Sequence, residues 1–485
     1  MKKIFAKCLT AVFVLSAFFA PFNLNVFADS ENNVWKNIYV STLGNDQNDG
    51  SENSPFKTVE RAKEEVRKIS ENMSGDIVVN IADGIYRQTE MLDFTVADSG
   101  KNGYNVIYRG EKDKYPVISG GFEVGGFEKY ENNPDIYCVS LENYNDVELV
   151  RSVFMDGKKY RMAQSDMLIK GEADYDDPDT HYTSDGFYVS KKYMAKYKNP
   201  ENLELFWSRE WVDVICKVDE IIDDPENSGR LIVRMSQSMW QAYKDYPYNG
   251  KSPSYDQYFQ VINAFELLDK PGEFYYDTKE KKLYIYPYDG TDMKSAKATV
   301  PTLERMFYIV GEDIDKKVEN ITFEGLSLAH TTWLAPGKYG YKGHQVQNTW
   351  VTNDCAKYMP GTIKLEWANN INFKNNHIYD HGMSAVDFEN AVTNSSVIGN
   401  AFNDLDGAAF VEGRREHEEW PQKGGDIAGI LEEGDIYADE KYKNPMSDEG
   451  KKFYLLEEHT TSTYARQVNG EKAYADEDGM VDLMG

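Results

Sequence analysis

The sequence predicts an all-β right-handed parallel β-helix, a solenoid with an N-terminal capping helix and an inserted β-sandwich-like domain. Three observations carry this expectation. Glu366, Glu389 and Glu412 recur every 23 residues, closing the runs IKLE (363–366), VDFE (386–389) and AFVE (409–412). The segments 369–388 and 394–412 match in pattern, with Asn376/Asn400 and Asp380/Asp404 each 24 apart, and 318–330 aligns with the start of the first at an offset of 50. A repeat of roughly 20–30 residues built from short strands and turn residues is the pattern of a stacked solenoid. Finally, the stretch 122–305 has no such period, so it interrupts the repeat.

The elements follow in chain order. Residues 1–28 carry Lys2, Lys3 and Lys7, then an apolar run, then Val26-Phe27-Ala28, and read as a secretory signal peptide cut near Ala28. Residues 29–121 hold the cap and the first coils. Ser54-Pro55 and Thr58 mark a helix start, and Val59, Ala62, Val66 and Ile69 share one face suited to closing the solenoid's open end. Strands are expected at 76–87, 105–110 and 116–121.

Residues 122–305 are rich in tyrosine and tryptophan, with a hairpin pattern at 273–290, and read as an inserted all-β domain. Trp207, Trp211 and Trp240 are core residues or a sugar-stacking platform. Coils resume at 306–413, with 334–360 thrown out from one of them, and 414–485 is an acidic excursion or tail, which leaves open that the chain is a fragment.

On the coils at period two, Ile363/Leu365, Val386/Phe388 and Ala409/Val411 point inward. Lys364/Glu366, Asp387/Glu389 and Phe410/Glu412 then point outward. Strands about 4.7–4.9 Å apart would stack the three glutamates, and like charges at that spacing need protonation, a cation, a splayed geometry or a catalytic reason. Asn376 and Asn400 are read as a structural side-chain ladder at a corner. Asp380, Asp404 and Asp406 are read as turn formers or as substrate or cation contacts.

Composition narrows the function. The formal net charge is −28, and −31 once the three leader lysines are removed. Such a chain is a poor partner for nucleic acid or anionic lipid, both of which rely on basic contacts. After cleavage no apolar run spans a bilayer, so no membrane association is expected, and the chain is read as a secreted or cell-surface monomer of bacterial type. Cys138, Cys216 and Cys355 have neither disulfide-framework nor zinc-site spacing and are read as structural thiols. No metal site and no cofactor are expected, Ca2+ entering only in the lyase alternative below.

The opening YVSTLGNDQNDGSENSPFKTVERA, the insert containing GEFYYDTKEKKLYIYP and the return at VENITFEGLSLAHTTW resemble secreted β-helix carbohydrate-active proteins. In order of parts they resemble glycoside hydrolase families 141 and 120, over 37 to about 413. The resemblance implies hydrolysis of xylan-, xylose- or fucose-containing plant cell-wall side chains. It also implies a carboxylate pair one coil apart, which Glu389 and Glu412 match in spacing, whereas Phe410 stands where a partner of Asp387 would.

The chemistry is readable without the family. A glycosidase needs one protonated and one ionised carboxyl, about 5–5.5 Å apart for retention and about 6.5–9.5 Å for inversion. Adjacent coils give roughly 5 Å, so Glu389 and Glu412 are the candidate retaining pair, with Asp387 a rival for either role. Glu366, His330, Trp333 and His381 are candidate substrate contacts. Two alternatives stay open. One is a polysaccharide lyase, with Asp387, Glu389 and Glu412 on Ca2+ and Arg414 or Arg415 as base. The other is a non-catalytic glycan-binding surface protein.

Overall fold

A computed structural model of the chain describes residues 33–144, 147–166, 183–209, 212–244, 259–344, 347–351 and 356–412. The signal-peptide reading of 1–28, the tail at 414–485, Trp211 and Cys355 lie outside the described residues or side chains. Among the described residues no helix is long and apolar enough to cross a membrane.

Three sheets are wholly parallel. The first runs Val34–Val40, Asp76–Ile81, Val106–Gly110, Val318–Glu324, Ala368–Lys374, Ser396–Ile398. The second runs Ile85–Arg87, Val117–Ser119, Ser327–Ala329, His377–His381, Ala401–Leu405. The third runs Leu92–Phe94, Phe307–Val310, Gly361–Glu366, Ser384–Asn390, Phe410–Glu412. From Asp76 onward the chain visits first, second and third sheet in that order on each circuit. It leaves the second sheet at Ser119 and rejoins the third at Phe307, on the next rung.

One core fills the space between the three sheets. Ile77, Val79, Val106, Tyr108, Ile321, Phe323, Ile363, Leu365, Ile371, Phe373 and Val386 are all buried in it. Tyr108, Phe323 and Phe373 occupy successive rungs of the first sheet. Their rings stack at 5.4 and 5.1 Å, the offset geometry aromatic pairs prefer. The helix Val59–Ile69 starts at Thr58, whose hydroxyl accepts from the Arg61 N–H at 3.2 Å. It lays Val59, Ala62 and Val66 onto the same core, while Arg67 grips the buried Asp98 carboxylate at 2.5 and 2.6 Å.

The corners explain the asparagines. Asn320, Asn370 and Asn394 hold left-handed φ of 61°, 54° and 50°, a conformation asparagine tolerates better than most residues. Asn376 accepts at Oδ1 from Leu326 N (3.0 Å), donates to Phe323 O (3.0 Å) and to Asn400 Oδ1 (3.0 Å), and Asn400 donates in turn to Phe373 O (2.9 Å). The amide side chains thus satisfy corner backbone groups that no ladder reaches.

Residues 121–301 supply most of two further sheets. The first joins Gly121–Gly125, Lys297–Pro301, Val153–Met155, Lys158–Met162, Glu273–Asp277, Lys282–Tyr286, Asn133–Ser140 and Glu128–Tyr130. The second joins Gly186–Ser190, Arg230–Met235 and Val212–Asp223 to three strands at Tyr341–His344, Gln347–Val351 and Ala356–Tyr358. The excursion after residue 334 therefore extends this second sheet. A sandwich shares one core between two sheets, but here each sheet has its own. The reason is in the alternation: Phe274 and Tyr276 face one core of the first sheet, and Tyr275 and Tyr284 face another. Trp207 and Trp240 are buried in the core of the second sheet and offer no stacking platform. Cys138 and Cys216 are buried free thiols.

Candidate active site

The third parallel sheet builds a charged cluster on its outer side. In the strand Gly361–Glu366, Ile363 and Leu365 enter the core, so period two turns Lys364 and Glu366 outward. In the neighbouring strand Ser384–Asn390, Val386 and Phe388 enter the core and Asp387 and Glu389 turn outward, yet Asp387 is 0% and Glu389 2% exposed. Lys364 Nζ lies 2.6 Å from Glu366 Oε1 and 2.5 Å from Glu389 Oε2. It is also opposite Asp387 in the ladder. The cation that a stack of acids requires is thus a lysine side chain, present in the IKLE run but easily passed over beside three periodic glutamates.

Tyr308, one rung earlier and opposite Lys364, presents its ring 5.7 Å from that ammonium, and Arg305 stands over the same ring at 5.3 Å. Burial, and then the charge of Glu366, push the Tyr308 phenol up to about 12, so it stays a neutral hydrogen-bonding group.

The three glutamates do not form one ladder. Between the strands holding Glu366 and Glu389 the register is 23 residues up to Leu365↔Phe388, and then a bulge sets Glu366 opposite Asn390. Glu389 is the extra residue, and bulges re-aim side chains. Between the last two strands the register is 24, with Val386↔Phe410 and Phe388↔Glu412. Glu412 therefore stands opposite an inward-facing phenylalanine and not opposite Glu389, and Phe410 packs edge-on against Phe388 at 5.0 Å. A one-residue change of register moves side chains to the other face, and here it sets Glu412 across from Phe388. The adjacent-coil spacing expected for Glu389 and Glu412 is corrected accordingly.

The other expected contacts lie elsewhere. His381 is 1% exposed, with Nε2 3.1 Å from the Leu328 carbonyl, and burial pushes it down to about 3; it belongs to the interior. Trp333 is buried edge-on against Tyr341 among Ala335, Met359 and Met383.

His330 lies at a corner of the second sheet, with Nδ1 3.0 Å from Ser119 Oγ, Phe154 of the inserted segment at 5.2 Å and Asp380 Oδ2 3.8 Å from Nε2. Burial, then Arg87, push His330 down to about 4. Asp380, beneath Asp404 in the next circuit, is pushed up to about 7 by burial and then by Asp404, while Lys159 opposes and Asp406 adds to the rise. Lys159 holds Asp406 at 2.6 Å, linking insert to corner. His330, Asp380 and Asp404 carry φ of 60°, 57° and 49°, which explains histidine and aspartate recurring there. Arg414 and Arg415 lie outside the described residues. Among the described residues, no three His, Cys, Asp or Glu side chains are grouped to hold a metal ion.

Residues 146–288, most of the inserted segment, match the model of the GH141 insertion domain. The chain resembles glycoside hydrolase family 141. A solved structure described as a glycoside hydrolase superposes with a TM-score of 0.67 at 23% identity, covering 78% of this chain and 68% of that one, which is a likeness of fold. The uncharacterized protein YwoF of Bacillus subtilis (strain 168) is 36% identical over 83 residues. That match spans 17% of this chain and 15% of YwoF, so the chain covers well under two thirds of that relative's length. The insertion-domain match is thus a likeness to family 141 over the inserted segment, and the solved structure adds a likeness of fold.

Proposed function

We propose that the chain is a secreted, monomeric glycoside hydrolase whose three parallel sheets are the faces of a right-handed parallel β-helix. Its substrates are plant cell-wall carbohydrates bearing xylose or fucose, and its working carboxylates are Asp387 and Glu389. The observation that carries the site is the pairing of two buried carboxylates two residues apart on one strand, with the Lys364 ammonium 2.5 Å from one of them.

That ammonium favours the charged form of Glu389, which suits a base. Asp387, wholly buried and across the ladder from the same ammonium, is assigned the acid that protonates the leaving oxygen because Glu389 holds the ion pair. The separation of the two carboxyl groups sets the course, about 5–5.5 Å for retention and about 6.5–9.5 Å for inversion, and the bulge at Glu389 re-aims its side chain relative to Asp387. Asp387 gives a proton to the departing sugar oxygen, and Glu389 either takes a proton from the water that attacks the anomeric carbon, with inversion, or attacks that carbon itself, with retention. Tyr308, its phenol neutral beside the Lys364 ammonium, is assigned the binding of a sugar hydroxyl.

The test is hydrolysis of arabinoxylan, pectic polysaccharides and nitrophenyl glycosides by the mature protein, with the product anomer read by NMR. We expect reducing sugar, insensitive to chelator, whose anomer reports retention or inversion, and a loss of about 10²–10⁴-fold in Asp387→Asn and Glu389→Gln. An ultraviolet-absorbing unsaturated product abolished by chelator would establish the lyase reading instead. Binding without any product would make the protein a glycan binder.

A further inference from the structure

The inserted segment holds a cavity that the hydrolytic reading does not use. It has a volume of about 450 Å³ and is lined by Arg151, Asn202, Glu204, Lys217, Asn263 and Thr278 among others, with Gly337 and Lys338 of the helix Ala335–Tyr339 against it. The volume is within the roughly 300–1,000 Å³ typical of small-molecule sites. None of its lining residues belongs to the third parallel sheet, so it is separate from the Lys364 cluster.

Most of its polar groups satisfy one another. Glu204, 1% exposed, takes both arms of the Arg151 guanidinium, one at 3.1 Å. Asn202 accepts from Thr278 at 3.0 Å and donates to the Tyr275 hydroxyl at 3.2 Å. A Cβ on Gly337 would come within 2.8 Å of Arg151 Nη1, so glycine keeps the space above the guanidinium open.

Two groups are left over. Asn263 is 8% exposed and donates from Nδ2 to Asn202 O at 2.9 Å, which fixes the orientation of its amide. Its Oδ1 is buried with no hydrogen-bond partner. A buried acceptor left without a donor costs its desolvation, and a ligand donor would remove that cost. Lys217 lines the cavity with no side-chain hydrogen bond or ion pair among the described residues. Burial pulls its ammonium down and the Glu204 charge only partly opposes this, because Glu204 is already matched to Arg151.

An unmatched cation and an unmatched acceptor in one cavity ask for a ligand that brings a negative charge and a hydroxyl donor on the same small frame. We propose that this cavity binds a uronic acid unit of a carbohydrate, its carboxylate on Lys217 and one hydroxyl donating to Asn263 Oδ1. The inference rests on the carbohydrate reading above and adds to it a second, acid-selective sugar site in the inserted segment. A neutral sugar supplies the hydroxyl without the charge, and a simple carboxylate supplies the charge without the hydroxyl.

The test is calorimetric titration of the full chain with galacturonate, galactose and acetate. Galacturonate is expected to bind one-to-one and at least tenfold tighter than either of the others. Lys217→Met should weaken galacturonate at least tenfold towards the galactose value, and Lys217→Arg should restore most of the affinity. Equal affinity for galactose, or for acetate, overturns the proposal on the wild-type protein alone, whatever the variants do. Undiminished galacturonate affinity in Lys217→Met overturns it as well. Binding is read without turnover, so the two readings fail separately: hydrolysis without uronate binding removes this site, and uronate binding without hydrolysis removes the proposed activity.

Discussion

Asp380→Asn should make the stability of the protein depend on pH in a way that the intact chain hides. In the fold His330 is pushed from 6.5 down to about 4, and Asp380 from 3.8 up to about 7. Between those limits the folded pair holds one proton, on Asp380, and the unfolded pair also holds one, on histidine, up to its ordinary value. Stability changes with pH only where the two states bind different numbers of protons, so the two titrations cancel. Removing the carboxyl leaves His330 alone. From about pH 4 to 6.5 the unfolded state then binds more protons than the folded one, and stability rises with pH. The limiting slope is about 1.4 kcal/mol per pH unit.

The surroundings set the size of this effect. Ser119, Phe154, Tyr379 and Arg87 face His330, and Asp404, Asp406, Lys159 and Tyr379 face Asp380. Both side chains are partly open, at 15% and 13%, so solvent screening reduces the limiting value and a gain of about 1–2 kcal/mol between pH 4.5 and 6.5 is expected. His330→Gln should show the opposite sign, losing stability as pH rises through the window from 3.8 to about 7. Urea unfolding at pH 4.5, 5.5 and 6.5 reads all three proteins. If Asp380→Asn follows the wild-type pH profile, the assigned proton positions are wrong.

Three further outcomes are expected. Lys364→Met leaves Glu366 and Glu389 without their shared ammonium in a buried place, and should cost about 3–5 kcal/mol in urea unfolding along with most hydrolytic activity. Asn376→Ala strands the buried Leu326 N–H and Phe323 carbonyl, and should cost about 2–4 kcal/mol, read by the same unfolding measurement. Glu412→Gln, whose residue stands opposite Phe388, should keep activity within about twofold of wild type in the nitrophenyl glycoside assay, whereas a loss of 10²-fold or more would return Glu412 to the working pair.

What was legible in the sequence was whatever a single periodicity controls. Val59, Ala62 and Val66 lie on the buried face of their helix because a 3.6-residue turn brings them together. Asn376 and Asn400 form their ladder because the corner groups of these last circuits, which backbone pairing leaves over, are met by an amide side chain. Lys364, Glu366, Asp387 and Glu389 turn outward because the inward positions between them are apolar. The aromatic stretch 273–286 was legible as strands, since every residue of Glu273–Asp277 is buried, but its alternation gave no sign that the two faces serve different cores.

The illegible part was register, which depends on the corners rather than on the strands. A spacing of 23 between Glu366 and Glu389 and again between Glu389 and Glu412 looks like one ladder, yet the circuits advance by 23 and then by 24 with a bulge between. The asparagines and aspartates, already 24 apart, carried the true register of the last circuit. His381 was misplaced for the same reason. It follows Asp380, whose left-handed backbone resets the alternation, so the histidine turns to the Leu328 carbonyl inside. Side-chain direction in this fold is therefore decided at the left-handed corner residues, and spacings between chemically similar side chains become informative only when measured from those corners. Counted from Asp380 and Asp404, Glu389 lies nine residues on and Glu412 eight, which is the one-residue difference that sets Glu412 opposite Phe388 instead of Glu389.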